Sequence, residues 1–302
     1  MEERFLITGA LGCIGAWACA QLVREGVPVV AYDVGEDTSR LELVLSPAEL
    51  EQVELVRGDV TNLEQLEATI GGHAITHVIH LAAMLIPLVK ANPPRGAAVN
   101  VVGSTNVFEA AKRRGLSGIS YASSAAVYGP HGPPASLYGV FKVANEGTAR
   151  IYWDDEQIAS VGLRPYTVYG PGRDQGLTAD PSLAMAAAAR GEGYHMRFGG
   201  RCQLQYAPDA ARIFIAAARA QHEGAPAFNL GGPANHMCEV VAAIETVVPE
   251  LSGEVTFDDV QLPFPEELDP DDLEDVVGPI EWTPLADATR LTIERYRAHF
   301  SR

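Results

Sequence analysis

Three glycines directly after a short apolar strand constrain this chain more than any other feature. Gly9, Gly12 and Gly15 follow the apolar residues 4–8 in the spacing G-x-x-G-x-x-G, and the residues after them have a helical pattern. Glycines let a phosphate approach the backbone closely, and the N-terminus of the helix directs N–H groups at the same point. The segment therefore predicts a pyrophosphate-binding turn between a strand and a helix.

Asp33 indicates which dinucleotide this turn would hold. It stands at the end of the second apolar run, residues 27–32, and 18 residues after Gly15. A carboxylate there accepts hydrogen bonds from the adenosine ribose and repels a 2′-phosphate. NAD is therefore expected as the cofactor rather than NADP, although Arg40 leaves a route to NADP if its loop folds back. The expected contacts in this unit are Gly9, Gly12, Cys13, Ile14, Gly15 and Asp33.

Length and charge limit the class of protein. A chain of 302 residues fits one large domain and a smaller one, and its formal charge of −17 argues against nucleic acid and anionic membranes as partners. No apolar run approaches the roughly 18 residues that a membrane span needs, and Met1-Glu2-Glu3 does not begin a signal peptide. The four cysteines show neither metal-ligand nor disulfide-framework spacing. We expect a cytoplasmic protein with free thiols and no metal.

The order of the segments predicts the fold class. Apolar runs alternate with helical stretches at 4–8, 27–32, 53–57, 77–81, 117–122 and 159–163. This alternation is typical of an α/β protein with a Rossmann-type, doubly wound parallel sheet. We predict an NAD-binding domain over residues 1–165. Residues 166–302 are expected to form mainly a smaller C-terminal α/β substrate lid, with some chain returning to the sheet. Helices are predicted at 183–190, at 209–221 and after Thr283-Pro284.

The candidate chemistry lies in Ser124, Tyr138 and Lys142. Tyr-x-x-x-Lys on a helix places both side chains on one face, one turn apart. An ammonium near a phenol favours the phenolate, which would let Tyr138 take a proton near neutral pH. Ser124, at the end of the fifth strand, would hydrogen-bond the substrate oxygen. The spacing alone is common on helices, but here it follows a dinucleotide loop and a strand-terminal serine.

With these residues in place, the chain resembles the extended short-chain dehydrogenase/reductase family, of the NAD-dependent epimerase/dehydratase type. The likeness covers nearly the whole chain. It rests on the glycine loop and on these segments: Gly58-Asp59-Val60, His80-Leu81-Ala82-Ala83, Asn100-Val101-Val102-Gly103, Ser123-Ser124-Ala125-Ala126-Val127-Tyr128-Gly129, Tyr138 to Lys142, and Arg164-Pro165-Tyr166-Thr167-Val168-Tyr169-Gly170-Pro171-Gly172.

The resemblance implies roles for further residues. Asp59 and Val60 would flank the adenine, Ala82 and Ala83 would line the cofactor trough, and Leu81 would also contact the cofactor. Pro165 would lie beside the nicotinamide, and Lys142 would also hold the nicotinamide ribose. Asn100 would support the proton relay, or be a buried helix asparagine, and His80 is expected to be a hydrogen-bonded core histidine. The expected substrate contacts are Met84, Ser124, Ala125, Thr167 and Arg201. Family members commonly dimerise through helices near 96–114 and 138–152, here carrying Val99, Val102, Val107, Phe141 and Val143.

Departures from the family pattern limit the substrate. Dehydratases carry an acidic pair where this chain has Ala125-Ala126, so dehydration is not expected. Members that hold a nucleoside diphosphate commonly place an asparagine at Thr167, another near Ser182-Leu183, and an arginine at Cys202. No Lys or Arg lies between Arg219 and Arg290. Because a pyrophosphate needs cations to offset its desolvation, we expect a substrate without a nucleotide tail.

Three functions are compatible with these residues. The first is an NAD-dependent oxidoreductase that transfers hydride at a secondary hydroxyl or keto carbon of a small sugar, sugar acid or polyol. The second is a sugar or nucleotide-sugar epimerase that keeps NAD tightly bound. The third is a non-catalytic NAD-sensing protein, which would need a damaged set of catalytic residues; Ser124, Tyr138 and Lys142 are all present.

Overall fold

A computed structural model describes residues 2–116 and 118–301. Its strands, in chain order, are β1 Phe5–Thr8, β2 Val29–Asp33, β3 Val53–Arg57, β4 His77–His80, β5 Gly118–Ala122, β6 Val161–Arg164, β7 Thr167–Tyr169, β8 Tyr194–Met196, β9 Arg201–Tyr206, β10 Ala227–Asn229, β11 Ala234–His236 and β12 Val255–Phe257.

The α-helices, in the same order, are α1 Cys13–Arg24, α2 Ser39–Val44, α3 Pro47–Leu50, α4 Leu63–Gly72, α5 Ile86–Ala91, α6 Pro93–Ala97, α7 Gly103–Arg114, α8 Leu137–Glu156, α9 Asp180–Ala189, α10 Ala207–Arg219, α11 Met237–Val247, α12 Leu273–Val277 and α13 Leu285–Phe300. A π-helical turn over Ala98–Val102 joins α6 to α7.

Seven parallel strands form the central sheet, in the order β3-β2-β1-β4-β5-β6-β10. The first six follow the Rossmann order 3-2-1-4-5-6, so the predicted fold class is confirmed. The central strand β1 is buried throughout, as a strand covered on both faces must be. Each predicted sheet strand overlaps an observed one; residue 117, the first of the predicted fifth strand, lies outside the described residues.

Helices cover both faces of this sheet. Side chains of α1, α2 and α10 form one apolar cluster with the sheet, which includes Trp17 and Phe214. Side chains of α4 and α7 form the second cluster on the opposite face, with Phe108 and Ile70 among them. The two clusters hold the carboxyl ends of β1, β4 and β5 along one edge, where ligands bind in open α/β sheets.

The chain after β6 builds a second, smaller core. There β9 lies between β7 and β11, while β8 pairs with β12 in a separate ribbon. Their apolar side chains pack with those of α9, α11 and α13. Residues of the same segment also reach the central sheet, because α10 packs on α1 and β10 adds a strand beside β6. The division at residue 165 stays a prediction.

The last helix begins slightly later than the sequence indicates. It starts at Leu285 and has Pro284 at its N-cap. Thr283 is not the cap. Its hydroxyl and its N–H instead donate to the carboxylate of Asp209, at 3.1 and 2.8 Å. Thr283 thus ties the approach of α13 to the start of α10, a tertiary use of the residue that its position before a proline does not reveal.

Candidate active site

The glycine loop between β1 and α1 is packed too tightly for side chains. Gly9 has a φ of +71°, and a Cβ there would lie 2.6 Å from the amide nitrogen of Ala82. A Cβ on Gly15 would lie 2.5 Å from the carbonyl oxygen of Gly9. Helix α1 starts directly after Gly12, with no side-chain cap and no acidic residue in its first turn. The N–H groups at this helix end are therefore available to an anion.

Asp33 faces the same loop from the end of β2. Its carboxylate accepts hydrogen bonds of 3.0 Å from the N–H groups of Leu11 and Gly35. Arg40 reaches the same loop, but its guanidinium is paired, because Asp174 accepts 2.7 and 3.2 Å bonds from it. The carbonyls of Leu11 and Gly172 accept two more. These contacts leave Asp33 as the group that a ribose would meet.

Asn100 fixes the loop that follows β4. The side-chain oxygen of Asn100 accepts a 2.7 Å bond from the N–H of Met84, and its amide nitrogen donates a 2.9 Å bond to the Met84 carbonyl. Asn100 is buried and lies in the π-helical turn, a feature often found at functional sites. It therefore positions residues 81–84 beside the site, and its part in a proton relay stays a prediction.

His80 is the hydrogen-bonded core histidine that the sequence predicts. Its ring nitrogens lie 2.7 Å from the Thr8 hydroxyl and 2.9 Å from the Ser104 hydroxyl. Burial, with a smaller contribution from the charge of Lys142, lowers the pKa of His80 to about 3. The ring is therefore neutral near pH 7.

Ser124, Tyr138 and Lys142 come together at the end of β5. Ser124 follows this strand and accepts a 3.1 Å bond from the N–H of Ala126. Helix α8 carries the other two side chains, and the Lys142 ammonium donates a 2.6 Å bond to the carbonyl of Ala122. The same ammonium lies 5.5 Å from the centroid of the Tyr138 ring. A serine hydroxyl, a phenol and an ammonium thus lie close together at the end of β5.

The pKa of Tyr138 differs from the sequence expectation. Burial raises this pKa above its ordinary value, although the Ser124 hydroxyl and the Arg173 guanidinium lower it. The direction is opposite to the lowered pKa expected from Tyr-x-x-x-Lys, because burial outweighs these neighbours. Burial also lowers the pKa of Lys142 to about 8, with Glu146 opposing the change.

Arg173 is a site residue that the sequence reasoning missed. It lies in a turn whose carbonyl at Pro171 accepts a 3.0 Å bond from the Trp17 indole and a 3.7 Å bond from the Cys13 thiol, so the turn is attached to α1. One terminal nitrogen of Arg173 donates to the Thr178 hydroxyl at 3.0 Å, and its buried Nε has no partner within the described part of the chain. The signal in the sequence that could have identified Arg173 is its position directly after the segment Gly170-Pro171-Gly172.

Three further residues predicted to contact the cofactor are held by contacts within the chain. The Asp59 carboxylate accepts bonds from Arg95, at 2.6 Å, and from the N–H and hydroxyl of Thr61. Val60 is buried against Gly103. Pro165 lies between β6 and β7, and its carbonyl accepts a 2.9 Å bond from the N–H of Ala125. Their contacts with a cofactor remain predictions.

The predicted substrate residues fall into two groups. Ala125 is buried beside Ser124, and Met84 is partly buried after β4. Thr167 and Cys202 lie two residues out of register on the paired strands β7 and β9, and both are fully buried. Arg201 is exposed, donates a 2.9 Å bond to the Ala234 carbonyl and lies 3.6 Å from Glu267. Its predicted substrate contact therefore has no support from this geometry.

A family model assigns the chain. The model of the NAD dependent epimerase/dehydratase family matches residues 5–231, more than half of the sequence. The chain belongs to this family. It is an enzyme of the extended short-chain dehydrogenase/reductase type, as its resemblance implied, and a non-catalytic role is not supported.

This chain is similar to named proteins, to one over part of its sequence and to two in structure over nearly the whole chain. UDP-glucuronate 4-epimerase 6 of Arabidopsis thaliana is 33% identical over 182 residues, which are 55% of this chain and 40% of that protein. The chain thus matches less than half the length of this curated relative. Among solved structures, MoeE5 in complex with UDP-glucose and NAD has a TM-score of 0.78 and 27% identity, covering 98% of this chain and 99% of that one. L-threonine dehydrogenase of Clostridium difficile has a TM-score of 0.84 at 21% identity, covering 99% and 98%.

NAD is the cofactor of this epimerase/dehydratase family member. The residues fit the group, since the tight loop before α1 can form only with glycine at positions 9 and 15, and the end of α1 carries no competing anion. Asp33 would take the adenosine ribose, and Lys142 would take the nicotinamide ribose. Within residues 2–116 and 118–301, no helix has both the length and the apolar character to cross a bilayer.

Proposed function

We propose that the chain is an NAD-dependent dehydrogenase acting at a secondary hydroxyl or keto carbon of a small polyhydroxylated substrate, a sugar, sugar acid or polyol without a nucleotide tail. The observation that carries the proposal is the meeting of Ser124, Tyr138 and Lys142 at the strand end beside the glycine loop. The bound nicotinamide supplies the hydride acceptor in this class of reaction.

Each side chain has a separate task in the proposed reaction. Ser124 donates a hydrogen bond to the substrate oxygen and keeps it beside Tyr138. The Tyr138 oxygen, in its phenolate form, takes the proton of the substrate hydroxyl. The charge of Lys142 stabilises the phenolate form of Tyr138 that accepts this proton, and the transfer leaves a neutral phenol.

The smaller core supports a substrate without a diphosphate. Members of the family that bind a nucleoside diphosphate commonly carry Asn and Arg at the positions of Thr167 and Cys202. In this chain both side chains are buried, and Cys202 belongs to the apolar cluster around Phe198 and Tyr206. Burial raises the pKa of the Cys202 thiol to about 11, although the Thr167 hydroxyl beside it opposes this, so the thiol is neutral near pH 7. The fold itself does not require a substrate with a nucleotide tail, since an L-threonine dehydrogenase has the same fold.

Arg173 favours an acid within this substrate class. Burial raises the pKa of both Tyr138 and Cys13, and the guanidinium of Arg173 lies close enough to each to oppose this effect. It forms no ion pair with a carboxylate in the described segments, whereas its neighbour Asp174 pairs with Arg40. A substrate carboxylate would provide the missing partner through a bidentate contact.

The curated relatives favour an epimerase as the second candidate, because several of them are named UDP-glucuronate 4-epimerases. Mixing the chain with NAD and a panel of sugars, sugar acids and polyols separates the two functions. A dehydrogenase accumulates NADH, which is seen as a rise in the absorbance of reduced nicotinamide. Interconversion of two epimeric sugars with no such rise would replace the dehydrogenase proposal.

We also infer a cytoplasmic homodimer. The four cysteines are all unpaired, as expected in a reducing compartment. Of the residues named for the dimer face, Val107 is buried under the sheet, whereas Val102 and Val143 are 50% and 44% exposed. Leu137, Val140 and Ile151 extend this exposed apolar surface along α8. A contiguous apolar surface of this kind marks an interface.

A further inference from the structure

One carboxylate connects the two strand ends that border the reacting centre. Glu146 lies on α8, one turn after Lys142. Its Oε1 accepts a 2.5 Å bond from the Ser123 hydroxyl and a 2.8 Å bond from Arg164 Nε, and its Oε2 accepts a 2.8 Å bond from Arg164 Nη2. The Glu146 and Arg164 side chains are only 17% and 16% exposed. This is a buried, bidentate ion pair, not a surface contact.

The residues next to these partners carry the site. Ser123 precedes Ser124, and Arg164 precedes Pro165. The backbone repeats the connection, since the N–H of Ser123 donates a 2.7 Å bond to the Leu163 carbonyl and that of Ala125 donates a 2.9 Å bond to the Pro165 carbonyl. The ends of β5 and β6 are therefore joined twice. Backbone hydrogen bonds join them directly, and Glu146 joins them through the side chains of Ser123 and Arg164.

The network continues to the edge strand β10 and the loop before α12. Arg164 Nη1 donates a 3.0 Å bond to the Tyr128 hydroxyl, and this hydroxyl donates a 3.1 Å bond to Asn229 Oδ1. Asn229 Nδ2 in turn donates a 2.7 Å bond to the carbonyl of Asp269. One side chain on α8 is thus linked to β5, to β6 and to the loop before α12.

Glu146 also faces the ammonium of Lys142. Its negative charge raises the pKa of Lys142 against the larger, opposite effect of burial. Tyr138 on its own helix and His80 on β4 interact with Lys142 directly, while Arg164 and Tyr128 lie beyond Glu146, and Arg173 acts on Tyr138. Among those groups Glu146 is the only carboxylate.

We propose that Glu146 is a positioning residue, which holds the strand ends carrying Ser124 and Pro165 in place and supplies the counter-charge of Lys142. The proposal rests on the role of Lys142 in the proposed function. It can nevertheless be tested without any substrate, so that its failure is distinct from failure to find one.

Lysine-specific NMR measures the charge directly. The sequence contains three lysines, Lys90, Lys112 and Lys142, so a chain labelled with 13C at lysine Cε gives three signals, and Lys142→Met assigns the one of interest. In the unsubstituted chain, the Lys142 signal should titrate near 8. Glu146→Gln should lower its midpoint, because the glutamate charge then no longer opposes the effect of burial.

Two matched variants complete this experiment. Glu146→Asp keeps the charge and should leave the Lys142 midpoint close to its original value. Glu156→Gln removes the partner of Lys112, which lies 2.6 Å from it, and should move the Lys112 signal alone. An unchanged Lys142 midpoint in Glu146→Gln would overturn the counter-charge role.

Hydrogen exchange tests the positioning role. In Glu146→Gln, the amides of Ser123 and Ala125 should exchange about tenfold faster than in the unsubstituted chain, because the side-chain connection that supports their backbone bonds is weakened. The same amides should keep their rate in Glu156→Gln. Equal exchange in all three proteins would show that the strand ends do not depend on Glu146.

Discussion

The ammonium of Lys142 lies 5.5 Å from the centroid of the Tyr138 ring, and the carbonyl of Ala122 at the end of β5 accepts its 2.6 Å hydrogen bond. Helical spacing brings the two side chains to one face of α8, but the hydrogen bond to the end of β5 fixes the position of the Lys142 ammonium. Because Ala122 immediately precedes Ser123 and Ser124, the same bond fixes the ammonium relative to the serine. The strand, the helix and the charge thus form one unit.

Removing the phenol should stop the reaction. Tyr138→Phe deletes the proton acceptor and little else, so turnover should fall on the order of 10²-fold or more while NAD binds nearly as before. Lys142→Met should weaken both turnover and NAD binding, because this residue has two tasks. Steady-state kinetics and calorimetry with NAD measure the two effects. Near-normal turnover in Tyr138→Phe would contradict the mechanism.

Local patterns predict much of this site. The glycine spacing, the position of Asp33 and the Tyr-x-x-x-Lys pair depend on strand and helix geometry within a few residues, and such geometry follows from the sequence. The parallel sheet follows in the same way from alternating apolar and helical segments. These features require no knowledge of how distant segments pack.

The missed features all depend on tertiary packing. Arg173 reaches the site because Pro171 in its turn is bonded to Trp17 of α1, 154 residues before Pro171 in the chain. Asn100 binds the backbone of Met84 only because a π-helical turn directs it there. The net effect on the pKa of Tyr138 depends on burial, which spacing does not measure. Sequence patterns supply the reacting groups, whereas packing sets their charge and surroundings.

His80 should make the fold sensitive to acid. Its pKa is about 3 in the folded chain and near 6.5 when exposed, so the unfolded chain binds an additional proton between these values. Stability is therefore lost as the pH falls below about 6.5, by about 2 kcal/mol at about pH 5. Urea unfolding at about pH 7.5 and pH 5 should show this loss in the unsubstituted chain and a smaller one in His80→Gln.

The exposed His131 provides the control for this titration. Replacing it with Gln should leave the pH dependence of unfolding unchanged. If His80→Gln and the unsubstituted chain lose the same free energy between the two pH values, His80 is not the group responsible.

Asp33 should determine the preference for NAD. A 2′-phosphate beside this carboxylate brings two negative charges together in a partly desolvated site, at a cost of several kcal/mol. NAD should bind at least about 100-fold more tightly than NADP. Asp33→Asn should narrow this difference, whereas Glu36→Gln, on the exposed loop that follows, should preserve it. Fluorescence titration with both dinucleotides gives the ratio, and equal affinities in the unsubstituted chain would remove the assigned role.

The exposed face of α8 should form a dimer. Val140 is 47% exposed at the centre of the apolar surface, and a glutamate there would place a charge in the interface. Val140→Glu should give a monomer mass by light scattering at micromolar concentration, whereas the unsubstituted chain gives a dimer mass. Leu291→Glu, at a 40% exposed position on α13, is the matched control and should leave the dimer intact. A monomeric unsubstituted chain would contradict the prediction.

Nucleoside diphosphates should be poor ligands. The three arginines nearest the expected diphosphate position are already occupied: Arg190 pairs with Glu192, Arg197 with the buried Asp180, and Arg201 with Glu267. Residues 220–289 contribute no Lys or Arg. A diphosphate entering this region would lose its hydration without gaining charged partners.

The size of this effect can be estimated from the missing contacts. Each charge-assisted hydrogen bond is worth roughly 1.5–3 kcal/mol, and the loss of two or three converts a micromolar ligand into a millimolar one. Calorimetry with UDP, dTDP and GDP should therefore show no saturation in the micromolar range. A small acid should still bind, because the charge of Arg173 acts on Tyr138 at the reacting end of the site. Tight binding of any of the nucleotides would restore the nucleotide-sugar epimerase and displace the small substrate.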